Sequence, residues 1–298
     1  MRIRSVRGVG FAIVFALPAT GSDGATPVPD FTGLWARQYI GFEPPTSGPG
    51  PIVNRTRLPS GQSSLGQFVG DYTSPILKPH AAEMVKKHGE IELRGGVAPN
   101  PSNQCLPMSP PYILQRQQVQ VIHQKDQITL LYVEDHQVRR VRLNAQHPTH
   151  VTPSWYGDSV GRFEGDTLVV DTVGIKVGPH SMVDSFGTPY SEALHLVERY
   201  RLIDYDAGAE AARHGEREVT RLAGDSLLGN GVAIDTEYKG KALQVQFMVE
   251  DKNTFTVPWS AVTTYWRASG DWMEKACAEN TNEFGQRKEL PTADGPDF

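Results

Sequence analysis

The sequence predicts a mainly β protein, an antiparallel β-barrel with about two short helices and long N-terminal loops. Three observations carry this. Short apolar runs with period-two alternation recur from residue 118 onwards, and 29 glycines and 22 prolines punctuate the chain. Nothing resembles a strand–helix–strand alternation or a glycine-rich phosphate loop. Closing an antiparallel sheet on itself removes its exposed edges, so roughly eight strands favour one barrel.

Composition narrows the class. The 298 residues are 39% hydrophobic and 21% charged, enough apolar mass to bury a core. Two cysteines exclude a disulfide-stapled miniature. A net charge of −5 disfavours nucleic acid, whose phosphates need a basic surface. No metal-ligand spacing and no cofactor motif is found, so neither a metal nor a cofactor is expected.

The elements follow in order. Arg2, Arg4 and Arg7 precede the apolar run Val9–Leu17 and the small residues Pro18-Ala19-Thr20-Gly21. Residues 1–21 therefore read as a signal peptide, cleaved after Gly21 or after Ala25. The nine-residue run is far below the roughly 20 needed to span a bilayer, so no transmembrane segment is expected. Export to the periplasm or beyond follows, with a mature charge of about −8 and one domain over residues 22–298. Gly33-x-Trp35 opens a first strand, and residues 41–70 form a long irregular segment. A short helix runs around Pro79–Lys87 and stops near Gly89, and residues 95–111 form a loop holding Cys105. Strands are expected over 118–124, 128–134, 137–144, 159–163, 167–172, 192–203, 243–250 and 258–267, with a short helix within 204–218. In the strand over 137–144, Arg139, Val141 and Leu143 alternate against Val138, Arg140 and Arg142. Glu164-Gly165-Asp166 is a hairpin turn, with glycine supplying the positive φ.

Residues 155–172 read WYGDSVGRFEGDTLVVDT. This is similar to the core W-x-G-x-S-x-G-x-[WF]-E-G-D-T-L-V-V-D-T-x-G of a bacterial family of exported, largely uncharacterised proteins. The core maps to Trp155, Gly157, Ser159, Gly161, Phe163, Glu164–Thr172 and Gly174, with further matches at Ser191–His195, Glu198–Tyr200, Pro258-Trp259 and Cys277-x-Glu279-Asn280. The chain departs from the pattern at Tyr190, where members often carry histidine, and in the extra segment 204–224. The resemblance implies a lipocalin-like or related barrel with an internal cavity; Gly33-x-Trp35 also resembles the first-strand signature of such barrels. It implies no single activity.

Several residues are candidates for chemistry. In an exported protein Cys105 and Cys277 either pair across the chain or remain two buried thiols. In the strand over 192–203, Glu192, Leu194, Leu196, Glu198, Tyr200 and Leu202 share one face, and His195, Val197, Arg199 and Arg201 the other. If the first face points inward, Glu198 is desolvated and becomes a proton-transfer candidate unless a cation offsets it. If the second does, His195 is the proton carrier and Arg199 an anion partner. The structural alternative is a Glu198–Arg salt bridge across the sheet with a solvated His195. In the loop bounded by Gly178 and Gly187, His180 and Asp184 either orient one another as base and carboxylate or lie solvated at the rim. Trp155, Tyr156, Tyr190 and Trp259 offer walls for a planar or hydrophobic ligand, or simply core. His147 and His150 lie in a proline-bearing stretch unsuited to a shared metal. Gly157-x-Ser159-x-Gly161 matches a nucleophile elbow in letters only, because a hairpin follows it. The function expected first is an exported barrel that holds a small hydrophobic or aromatic molecule in its internal cavity. A cofactor-independent acid/base enzyme (lyase, isomerase or cyclase) using His195, Glu198, His180 and Asp184 is the alternative. An extracellular carbohydrate-handling protein is the third.

Overall fold

The computed structural model describes residues 28–37, 39–64, 66–115, 118–133, 137–221, 232–270, 277, 282–283 and 286–289; the leader assigned to residues 1–21 lies outside them. Nine strands close into a barrel: β1 (Gly33–Ala36), β2 (Val119–His123), β3 (Gln127–Tyr132), β4 (Val138–Leu143), β5 (Asp158–Glu164), β6 (Thr167–Val173), β7 (His195–Asp204), β8 (Lys241–Glu250) and β9 (Trp259–Ser269). Their order around the barrel follows the chain, and β1 closes it by pairing with both β2 and β9. The mainly β barrel with two helices is thus the expected class.

The barrel is not antiparallel throughout. A closed ring needs an even number of direction reversals, so nine strands require at least one parallel junction. It falls between β4 and β5, where Val141 faces Ser159 and Leu143 faces Gly161. A parallel pair needs a returning connection of about a dozen residues, and residues 144–157 supply it. The prolines of that stretch make it read as an ordinary loop. Gly161 lets the two strands approach, since a Cβ there would lie 2.7 Å from Val141 Cγ1. The β5–β6 turn holds Gly165 at φ 61, as the Glu164-Gly165-Asp166 motif requires.

Two boundaries differ from expectation. Helix α1 (Pro79–Leu93) runs through Gly89, which packs against Val69 and so makes room for a neighbour instead of ending the helix. Strand β7 starts at His195, not Glu192, because Ser191 turns the chain: its N–H and hydroxyl donate to Asp251, and its hydroxyl accepts the Ala193 N–H. Helix α2 (Tyr205–Gly215) lies where expected, with Gly208 and Ala212 buried on the wall. Among the described residues no helix is long and apolar enough to cross a membrane.

The inward faces of the strands form the core. Trp35, Tyr132, Arg139, Leu196, Glu198, Phe247 and Tyr265 are each 2% exposed or less. The uncharged ones belong to one core of packed side chains, with Ile128, Leu130, Val170 and Leu243 among the described residues. Trp259 belongs to this core, packed edge-on against Phe247 and Phe255. Cys105 and Cys277 form a disulfide, with Cα atoms 5.3 Å apart.

Candidate binding site

The alternation of β7 places Leu196, Glu198 and Tyr200 inside and His195, Arg199 and Arg201 on the outer wall. Glu198 meets Arg139 of β4 in a two-pronged ion pair, Nη1 to Oε1 at 2.9 Å and Nη2 to Oε2 at 2.5 Å. Tyr200 donates a third bond to Oε1 at 2.8 Å. Arg139 also donates to Ser159 and Thr172, the hydroxyls that the β5–β6 hairpin supplies. Burial opposes the Arg139 charge, but the Glu198 carboxylate outweighs it and holds the guanidinium above its usual pKa. Burial, then the Glu198 charge, pushes the Tyr200 phenol well up. Every strong bond of Glu198 is made inside the barrel, so it is a structural anion. The segment 155–174 therefore supplies two hydroxyls of a buried ion-pair network as well as a turn.

The outer wall carries a second chain of polar side chains. Arg142 pairs with Asp158, and His147 lies between Asp158 (Nδ1, 2.6 Å) and Asp171 (Nε2, 3.0 Å). His195 continues the row from Asp171 at 3.1 Å to Glu250 at 3.5 Å. This row clasps the crossover to the barrel. Arg199 pairs with Glu164 on the same exposed wall. His195 and Glu198 thus point to opposite sides of the sheet.

The loop over 178–187 separates its two candidates as well. His180 stands at φ 58 and lines a crevice with Trp155, Tyr190 and Ser109 that is too tight to hold a water. Tyr190 donates to the Lys176 carbonyl, and Lys176 sits over the Trp155 ring. Tyr156 reaches the Gln137 side chain instead. Asp184 turns the other way. Its Oδ1 accepts the N–H groups of Phe186 and Thr188, and the residue is 2% exposed. No cation among the described residues pairs with it. Burial lifts its carboxyl to about 6, although the Thr188 hydroxyl and the two loop amides oppose the shift.

Asp184 lines a cleft of about 240 Å³ beside the barrel. Phe42, Pro44, Pro45, Pro51, Ile52 and Phe186 form its apolar walls, with Gln115 and Glu218 as further polar groups. Buried Arg37 fixes two of those walls: it pairs with Glu43 and donates to the carbonyls of Gly41, Leu114 and Gln115. Gln115 is 1% exposed; it accepts from Ser185, while its Nε2 has no partner among the described residues. Sequence reasoning singled out Asp184 but missed Phe42, Gln115 and Phe186, which lie in three separate segments.

The four proton-transfer candidates thus occupy four places: the outer wall, the barrel interior, the tight crevice and the cleft. Among the described residues no group of three or more His, Cys, Asp or Glu side chains is placed to hold a metal ion. Comparison with protein-family models, curated proteins and solved structures gave no match.

Proposed function

We propose that this protein is an exported binding barrel that holds a small hydrophobic or aromatic molecule, seated in the Asp184 cleft beside the barrel. The observation that carries this is a buried, uncompensated carboxylate in a cleft walled by rings. Such a group lowers stability when ionised and gives the barrel nothing that asparagine would not, so a ligand is its best reason. Export rests on the arginine-flanked apolar leader. Membership of the exported family rests on the Trp155–Gly174 core. The acid/base enzyme finds less support, because its four residues share no cavity.

The test is mass spectrometry of molecules that co-purify with the exported chain, compared with Val53→Trp. Val53 is 37% exposed on the cleft lip, so a larger ring can fill the cleft without entering the core. A small apolar molecule held by the wild type and absent from Val53→Trp is the expected result. Equal retention by both would overturn the cleft as the site.

A further inference from the structure

We infer that the cleft takes a small organic cation, an amine on an apolar body of about the size of a substituted benzene. This deepens the binding proposal and rests on it. Among the described residues the lining holds two carboxylates, Asp184 and Glu218, and no lysine, arginine or histidine. Glu218 is already matched by Arg57 at 2.7 Å. The nearby Arg37 is matched by Glu43, and its remaining donors go to backbone carbonyls. Asp184 is therefore the one carboxylate of the lining without a cation among the described residues. A ligand ammonium donating N–H to that carboxylate supplies the missing charge, and the aromatic faces of Phe42 and Phe186 suit a cation on its approach. An anion would meet two like charges. A neutral molecule would leave the charge unanswered.

Size agrees. An engineered apolar cavity of about 150 Å³ binds benzene, so this cleft suits about ten non-hydrogen atoms. Among the described residues the groups facing Asp184 are the loop amides of Phe186 and Thr188, the Thr188 hydroxyl, Gln115 and the Glu218–Arg57 pair, and His88 of α1 packs on Gly187 of the same loop. A cation binds the ionised form, so affinity falls as pH drops below about 6.

The experiment is titration calorimetry of the full chain with three probes: benzylamine, benzyl alcohol and benzoate. At pH 7.5 benzylamine should bind at least about tenfold more tightly than benzyl alcohol, with benzoate weakest. Benzylamine, still charged at pH 4.5, should bind at least about tenfold more weakly there. Asp184→Asn keeps the loop's acceptor and should lose the preference for benzylamine at pH 7.5. Val53→Trp keeps the carboxyl, fills the cleft and should bind none of the probes. Benzyl alcohol or benzoate binding as tightly as benzylamine overturns the cation and leaves the binding proposal standing. No binding by any probe also overturns the cation, while the co-purification test still decides the cleft. Benzylamine binding to Val53→Trp as to the wild type overturns both.

Discussion

Glu198 and Asp184 are both buried carboxylates, 0% and 2% exposed, yet they are opposite kinds of group. Glu198 sits inside the barrel with Arg139 on both oxygens and Tyr200 on one. Asp184 sits beside the barrel with two backbone N–H groups on a single oxygen and no cation. Burial is common to both, so burial does not mark function. Compensation separates them: an anion answered by its own fold stabilises a structure, whereas one left unanswered waits for something else.

The largest expected effect tests the answered anion. Arg139→Ala leaves Glu198 buried without its cation, and should cost about 3–5 kcal/mol in urea unfolding. Pairing Arg139→Met with Glu198→Leu should recover most of that loss, because removing both charges leaves nothing unpaired. A loss below about 1 kcal/mol for Arg139→Ala would mean that Glu198 does not depend on its partner, and the contrast with Asp184 would collapse.

The next effect tests the unanswered anion, and it has a sign. The carboxyl of Asp184 is raised from 3.8 to about 6 in the folded protein. The folded state therefore binds this proton more tightly than the unfolded state. That stability is fully present below pH 3.8 and is lost as pH rises through about 6. A shift of about two units corresponds to about 3 kcal/mol. Asp184→Asn cannot titrate there, so its stability relative to wild type should rise by about 2.5 kcal/mol between pH 4 and pH 8. Urea unfolding of both proteins across that range measures it. A flat difference would show that Asp184 is compensated after all.

A smaller effect sharpens the first side. Tyr200→Phe removes one donor to Glu198 and leaves Arg139 in place, so a loss of about 1.5–3 kcal/mol is expected. Benzylamine binding in the cleft should not change, since Tyr200 lies inside the barrel. A change in that binding would join two regions that the structure keeps apart.

How much of this is legible in the sequence depends on which residues are asked about. Period two places Glu198 with Leu196 and Tyr200, and Arg139 with Val141 and Leu143, so spacing alone puts both charges on apolar faces. Their meeting is not legible. It depends on ring order across β4, β5, β6 and β7, and that order turns on a parallel junction written only as a proline-bearing loop. Asp184 is legible as an acid in a glycine-bounded loop. Its surroundings are not, because Ser185 meets Gln115 across 70 residues and Phe42 arrives from an irregular segment without periodicity. The expected partnership with His180 fails for a local reason: the left-handed backbone at His180 turns it towards Trp155, while Asp184 folds back onto its own loop amides.

The smallest expected effect concerns the residue whose chemistry the strand pattern makes most inviting. His195 is 33% exposed and touches Asp171 at 3.1 Å and Glu250 at 3.5 Å, all on the solvent side of the wall. Exposed ion pairs contribute about 0–1 kcal/mol, because water screens the charges and the side chains lose freedom in pairing. His195→Ala should therefore stay within about 1 kcal/mol of wild type in urea unfolding and leave benzylamine affinity unchanged. His147 would still clasp the crossover through Asp158 and Asp171, so the barrel need not loosen. A much larger loss would mean that the outer row of polar side chains acts as one network. A third arrangement, a carboxylate shared between two imidazoles, would then stand between the answered Glu198 and the unanswered Asp184.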